Sequence, residues 1–334
     1  MGARAVILGC AGPELGPAER RFFAEAAPWG FILFARNVED PGQLRRLTDA
    51  LRDSVGREAP VLIDQEGGRV ARLRSPSWRE WAPALDECER LPAALRPQAM
   101  RLRYRLIAGE LRAAGIDVDC APVLDLVRSD THPVIRNRCY SADPAEAGAI
   151  GRAVAEGLMA GGVLPVMKHM PGQGRAVLDS HLDLPVVKAG RAALAEDFAP
   201  FSALADLPMG MTAHVVYAAV DAEAPATQSA AVVRLIREEI GFGGLLMTDD
   251  LSMKALGGSF GARVSRAVAA GCDIVLHCNG DREEMAQVAA SAPELAGVSA
   301  ARAEAALARR PGVPADDAAA LDAEFAALRE RAHA

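Results

Sequence analysis

This 334-residue chain has few aromatic residues, no basic run and no long apolar stretch. Phe, Trp and Tyr make up 4% of it, so its core must be built mostly from Ala, Val, Leu and Ile. Lys and Arg form no patch interleaved with aromatics and the formal net charge is −7, so nucleic acid is not an expected partner. No run approaches the ~18 apolar residues that a membrane-spanning helix needs. Cys10, Cys88, Cys120, Cys139, Cys272 and Cys278 show no C-x-x-C pair and no repeated spacing, which reads as free thiols in a reducing compartment. Ile7-Leu8-Gly9-Cys10 is loosely like a lipoprotein cleavage box, but the apolar stretch before it is too short for a signal-peptide core. Cleavage there would also remove the first expected strand. The expectation is a cytoplasmic protein.

Several motifs are missing too. No G-x-G-x-x-G follows the first apolar run, so there is no dinucleotide fingerprint. No Gly-rich loop ending in Lys-Ser/Thr opens a helix, which argues against a phosphate site. His169, His214 and Asp249 are possible metal ligands by type, but no H-x-H or H-E-x-x-H spacing occurs, and Lys168 beside His169 would repel a cation. No metal and no cofactor are expected.

What the chain has is apolar residues, 51% of the total, arranged in alternating short and long patterns. Val/Ile/Leu-rich runs at 5–9, 31–35, 60–63, 116–123, 163–167, 210–215, 244–247 and 273–276 read as strands. They are apolar nearly throughout, as parallel strands covered on both faces should be. Helical patterns lie between them at 41–55, 96–114, 144–160, 188–204, 229–239 and 260–270. Gly115, Gly161, Gly241 and Gly271 follow four of these helices, the usual C-terminal stop. Eight strand–helix units predict a closed (β/α)8 TIM barrel forming a single domain over 1–334, with a doubly wound open sheet as the alternative. From about 315 a Ala/Glu/Asp-rich tail with Leu321, Phe325 and Leu328 at helical spacing predicts a last helix packed outside the barrel.

In such a barrel, chemistry sits where strands end and the following loops begin. Polar residues recur there: Arg36-Asn37, Asp64-Gln65-Glu66-Gly67-Gly68-Arg69, Asp125, Lys168-His169, His214 and Thr248-Asp249-Asp250. Each has a bland reading. His214 suits a satisfied core histidine, Asp125 a turn cap, Arg36 a rim ion-pair partner and Asp250 a helix cap. Gly67-Gly68 suits a tight turn. Convergence of charged groups at six consecutive strand ends favours a site.

Longer motifs then carry a family resemblance. Asp64-Gln65-Glu66-Gly67-Gly68-Arg69-Val70, Lys168-His169-x-Pro171-Gly172-x-Gly174, Asp179-Ser180-His181, Met211-Thr212-Ala213-His214-Val215 and Thr248-Asp249-Asp250-Leu251-Ser252-Met253 resemble those of glycoside hydrolase family 3. Within it they are most similar to the single-domain bacterial β-N-acetylhexosaminidases of peptidoglycan recycling. The resemblance runs from about residue 31 to 279. It implies a (β/α)8 enzyme that removes terminal non-reducing N-acetylglucosamine from muropeptides such as GlcNAc-1,6-anhydroMurNAc-peptides, acting as a cytoplasmic monomer. Carried over by motif, Asp249 is the nucleophile, His181 the proton donor and acceptor, and Asp179 its tuning partner. Asp64, Arg72, Arg138, Lys168 and His169 bind the sugar. Three positions depart from the family pattern: Arg136 stands where Gly is usual, Met170 where Phe is usual, and Gln173 where a second His is usual.

The chemistry is consistent with that assignment. A retaining glycosidase needs a nucleophile at C1 and an acid/base at the leaving oxygen. An imidazole of pKa ~6.5 can protonate the departing oxygen and then activate water. Asp179 lies two residues before His181, and in an extended segment i and i+2 face the same way. The loop bearing them is expected to close over substrate. A family β-glucosidase, a hexosaminidase using the substrate's own acetamido group with Asp249-Asp250 as a carboxylate pair, and a non-catalytic sugar-binding barrel are the competing readings.

Overall fold

The computed structural model describes residues 2–180, 182–310, 312 and 317–331. Eight parallel strands close into a barrel in chain order. They are β1 (Arg4–Leu8), β2 (Pro28–Leu33), β3 (Val61–Ile63), β4 (Val118–Asp119), β5 (Leu164–Met170), β6 (Met209–Thr212), β7 (Leu245–Asp250) and β8 (Ile274–His277). β1 opposite β8, with Val6 level with Val275, completes the ring. The open-sheet alternative is therefore excluded.

Strand geometry explains why these runs are apolar throughout. Side chains alternate between faces. One set fills the barrel interior, including Ile7, Leu62, Val118, Val166, Met211, Met247 and Leu276. The other set, including Val6, Phe31, Val61, Ile63, Met167, Leu246 and Val275, packs against the surrounding helices. Each buried Leu, Ile or Val side chain contributes about 1.5–3 kcal/mol.

Helix ends follow the sequence signals closely. The helix Pro41–Val55 starts at Asp40, whose carboxylate accepts from Gln43 N, and stops at left-handed Gly56. The helix Pro144–Ala160 starts at Asp143 and stops at Gly161. The helix Phe260–Ala270 starts at Ser259 and stops at left-handed Gly271. The helix Ala318–Arg331 lies outside the barrel, where Phe325 meets Trp81 edge-on at 5.7 Å and Arg79 pairs with Asp322.

Two strands differ from expectation. β4 is shorter than 116–123; beyond Asp119 its contacts with β5 run through Lys168 N to Pro122 O (3.0 Å) and Leu124 N to Lys168 O (2.8 Å). Pro122 has no N–H for a regular ladder. After β6 the chain leaves the barrel, and Val216–Tyr217 pairs in parallel with Val186–Val187 in a small outer ribbon. That ribbon anchors the far end of the loop that carries Asp179. The near end is held by Thr131 Oγ1 donating to Gly174 O (2.6 Å). Among the described residues, no helix is long and apolar enough to cross a membrane.

Candidate active site

One cavity at the C-terminal ends of the strands is bordered by Asp64, Arg72, Arg138, Lys168, His169 and Asp249. These are six of the eight residues expected to act. Asp179, one of the other two, is partly buried on the loop after β5, and its neighbour Ser180 borders the cavity. His181, the expected proton donor, lies outside the described residues.

The wall built from β3 to β5 is a continuous ionic network. Asp64 accepts from Lys168 Nζ (2.8 Å) and Arg72 Nη2 (2.9 Å). Glu66 takes both prongs of Arg138, Nε and Nη2, at 2.8 Å each. Lys168 Nζ also sits 2.6 Å from Glu66 Oε1. Arg138 Nη2 lies 3.3 Å from His169 Nε2, and His169 Nδ1 lies 2.7 Å from Asp125 Oδ2. These partners assign the tautomer: Nδ1–H donates to Asp125, and Nε2 accepts from Arg138.

Glu66, Arg138, Lys168 and His169 are buried and Asp64 and Arg72 half-buried, so the charge states depend on these pairs. Burial pushes the Asp64 carboxyl up, but Lys168 and Arg72 overcome it and hold its pKa well below the usual range. Glu66 likewise falls to about 2, because Arg138 and Lys168 outweigh burial. Burial disfavours the charge on Lys168, yet Asp64 and Glu66 raise its pKa above the ordinary lysine value. Asp119, beside this network but without a cation in contact, goes the other way. Burial raises it to about 7 although its Oδ1 accepts from Gln65 N (2.9 Å).

The opposite side is the end of β7. Asp249 and Asp250 both border the cavity, but their carboxylates differ. Asp250 Oδ1 accepts from Ser252 N (3.0 Å) and Cys278 N (3.1 Å), and its Oδ2 from Ser252 Oγ (2.5 Å). It fixes a turn and is not the helix cap expected. Asp249 Oδ1 accepts from Asp250 N (2.8 Å), which orients that carboxylate. His214, fully buried, donates from Nε2 to the Asp250 carbonyl (2.9 Å) and bonds Thr227 Oγ1 through Nδ1 (2.7 Å). Burial lowers its pKa. His214 is thus a satisfied core histidine that braces the strand end carrying Asp249.

Other strand-end residues also resolve into roles. Among the described residues Arg36 makes no ion pair: it donates to the carbonyls of Cys10 and Cys278, and its guanidinium lies 5.0 Å from the Phe34 ring centroid. Arg136 is turned onto the Arg128 carbonyl (2.9 Å). Gln173 borders the cavity, donates its backbone N–H to Asp125 (2.7 Å) and places its amide 3.2 Å from His169 Nδ1. Gly67 and Gly68 adopt left-handed φ of 103° and 56°. A Cβ on Gly67 would fall 2.0 Å from Arg103 Nη2. No set of three metal-binding side chains occurs among the described residues.

The sequence did not single out Glu66 as a site residue, and it placed Asp125 among the convergent strand-end groups without a role beyond a possible turn cap. The signal for Glu66 was available: it stands two residues after Asp64, so both carboxylates leave the strand end on one side. The signal for Asp125 was not, because its pairing with His169 needs the barrel to bring β4 and β5 together.

Residues 20–310 match the glycosyl hydrolase family 3 N-terminal domain. The chain is 40% identical over 284 residues to a β-hexosaminidase of Alkalilimnicola ehrlichii, covering 82% of this chain and 80% of that one. A β-hexosaminidase of Methylococcus capsulatus is 39% identical over 273 residues, covering 80% of each chain. The structure of NagZ from Neisseria gonorrhoeae in complex with N-trifluoroacetyl-D-glucosamine superposes with a TM-score of 0.84 at 28% identity, over 99% of this chain and 98% of that one. The barrel, the charged cavity and these similarities agree: the chain belongs to glycosyl hydrolase family 3.

Proposed function

We propose that this glycoside hydrolase is a retaining exo-β-N-acetylglucosaminidase. In this reading the whole chain, 1–334, is one catalytic unit that works as a cytoplasmic monomer without a cofactor. It removes terminal non-reducing N-acetylglucosamine from muropeptides such as GlcNAc-1,6-anhydroMurNAc-peptides in peptidoglycan recycling. The observation that carries the reading is that Asp249 and the ionic wall of Asp64, Arg72, Arg138, Lys168 and His169 border the same cavity. Relatives named β-hexosaminidase, and a structural neighbour solved with an N-acylated glucosamine, support an acetamido sugar as the unit bound.

The ionic wall binds the sugar hydroxyls through charge-assisted hydrogen bonds. Asp249 attacks C1 as the glycosidic bond breaks. His181, polarised by Asp179, gives its proton to the leaving oxygen. A covalent glycosyl-aspartate results. The now neutral imidazole takes a proton from water, whose oxygen attacks C1 and releases Asp249, with net retention. The roles of Asp179 and His181 rest on the sequence motif. Use of the substrate's acetamido group with Asp249-Asp250 as a pair is disfavoured, because Asp250 is already committed to Ser252 and Cys278.

Turnover of a chromogenic N-acetyl-β-glucosaminide against the matching β-glucoside tests the reading. Selective hydrolysis of the acetamido substrate is expected; equal hydrolysis, or none, contradicts it. His181→Ala should slow substrates with poor leaving groups far more than aryl glycosides with good ones. An equal loss on both would remove His181 from the acid role.

A further inference from the structure

One buried carboxylate at the upper rim stands outside the cavity. Asp197, on the helix Arg191–Ala203, is 1% exposed and does not border the site. Its two oxygens go to two different loops. Oδ1 accepts from Arg128 Nη2 (2.7 Å) and Nε (3.2 Å), and Oδ2 accepts from Arg175 Nε. Arg128 belongs to the segment after β4 that leads to Arg138, a member of the ionic wall. Arg175 belongs to the loop after β5, four residues before Asp179. A single carboxylate thus joins the segment that delivers a wall arginine to the loop that carries Asp179.

Neighbouring contacts make this junction stiff. Arg128 N donates to Thr131 Oγ1 (2.6 Å), the hydroxyl that holds Gly174 O, and His132 N donates to Ala176 O (3.3 Å). Arg175 Nη2 donates to Ala193 O (3.2 Å), on the same helix as Asp197. Gly172 lies against Asp197 itself: its φ is 126°, and a Cβ there would fall 2.9 Å from the Asp197 carbonyl oxygen. Immediately beyond, Val177 and Leu178 are 51% and 44% exposed, so packing holds the loop up to Ala176 and weakens after it. A general acid works only within hydrogen-bond reach of the oxygen it protonates. Side chains on loops are placed less exactly than those on helices or strands. A charge-assisted bridge to a helix, made where the loop's packing gives out, supplies that placement.

We propose that Asp197 is a positioning residue for proton transfer: by bridging Arg128 and Arg175 it sets the loop that bears Asp179 against the segment that ends in Arg138. This rests on the reading in which the loop after β5 supplies the acid/base, and adds to it the residue that aligns that loop. Asp197 touches neither the sugar nor the reacting atoms and acts only through its two arginines.

The test is kcat/KM on a series of aryl and alkyl N-acetyl-β-glucosaminides whose leaving groups run from good to poor. Asp197→Asn weakens both arms of the bridge. Arg175→Met cuts the loop arm alone, keeps the Arg128–Asp197 pair, and covers the case in which the first variant does not fold. Both should lose about tenfold or more on poor leaving groups, a share of the ~10²–10⁴-fold that general acid catalysis supplies, and stay within about threefold on the best leaving group, which needs no proton. Arg175→Lys should recover part of the loss. A purely structural role would lower every substrate alike. Equal losses across the series, or no loss on poor leaving groups, would overturn the positioning role. His181→Ala separates this from the parent reading. If it shows the leaving-group dependence and the Asp197 and Arg175 variants do not, only the positioning role falls; if its own loss is equal across the series, the acid assignment falls as well.

Discussion

Buried carboxylates clasped by arginines occur at both rims of the barrel, and they do different work. At the N-terminal rim, Asp273 accepts from Arg237 (2.6 Å), Arg302 (3.0 Å), Ser299 (2.8 Å) and the backbone N–H of Leu246 (2.9 Å). Asp117 accepts from Val61 N (2.8 Å) and lies 3.2 Å from both Arg52 and Arg310. Each therefore ties one strand to its neighbour and to the helices outside. At the C-terminal rim, Asp64 and Glu66 meet the same kinds of partner, but Asp64, Arg72, Arg138 and Lys168 also border an open cavity. The ion pair alone does not make a site. The lower rim uses its charges to close the barrel, while the upper rim holds them ready for a polar ligand.

The two rims should separate activity from stability. The largest effect is expected for Asp249→Asn, roughly ten-thousand-fold in kcat on a chromogenic N-acetyl-β-glucosaminide, with an unchanged melting temperature. A large loss of stability in that variant would blur the contrast. Asp273→Ala should do the reverse. Leaving Arg237 and Arg302 without their carboxylate should cost about 3–5 kcal/mol in urea unfolding, with kcat of the folded protein nearly unchanged. Glu66→Gln sharpens the comparison because Glu66 belongs to the upper rim yet is buried like Asp273. It should lose about 2 kcal/mol of stability and also raise KM about tenfold, since Arg138 and Lys168 lose their common anchor. A stability loss with KM unchanged would make Glu66 a staple like Asp273.

A pH-dependent contrast concerns Asp119, in the wall between the rims. Its folded pKa of about 7 lies well above the ordinary aspartate range. The folded state therefore binds this proton more tightly than the unfolded chain, and the resulting stability is fully present below about pH 4. It is lost as pH rises towards 7, at no more than ~1.4 kcal/mol per pH unit. Asp119→Asn keeps the acceptor for Gln65 N and removes that slope. The variant's stability relative to wild type should therefore rise between pH 4 and 7. A difference independent of pH would mean that Asp119 is ionised throughout.

Much of the upper rim was legible in the sequence because its residues follow apolar runs in order, and strand ends of a barrel share a face. Helix stops were legible at Gly115, Gly161 and Gly271, whereas Gly241 lies two residues beyond the C-cap Glu239. The inner and outer faces of the strands were not, since Ile7 and Val6 are equally apolar and only closure distinguishes them. The staples Asp117 and Asp273 were passed over because they stand at strand starts, where their arginines arrive from helices distant in sequence. The outer ribbon of Val186–Val187 and Val216–Tyr217 left no signal beyond two short apolar pairs. Arg36 looked like an ion-pair partner because its real acceptors are backbone carbonyls, which every residue carries.

The account turns on Asp249 as the group that bonds to the sugar. Incubation with a 5-fluoro-N-acetylglucosaminyl fluoride, followed by proteolysis and mass spectrometry, tests this directly. The account predicts a single glycosyl adduct on the peptide containing Asp249, formed as activity is lost. An adduct on another carboxylate, or complete inhibition with no covalent adduct, would contradict it.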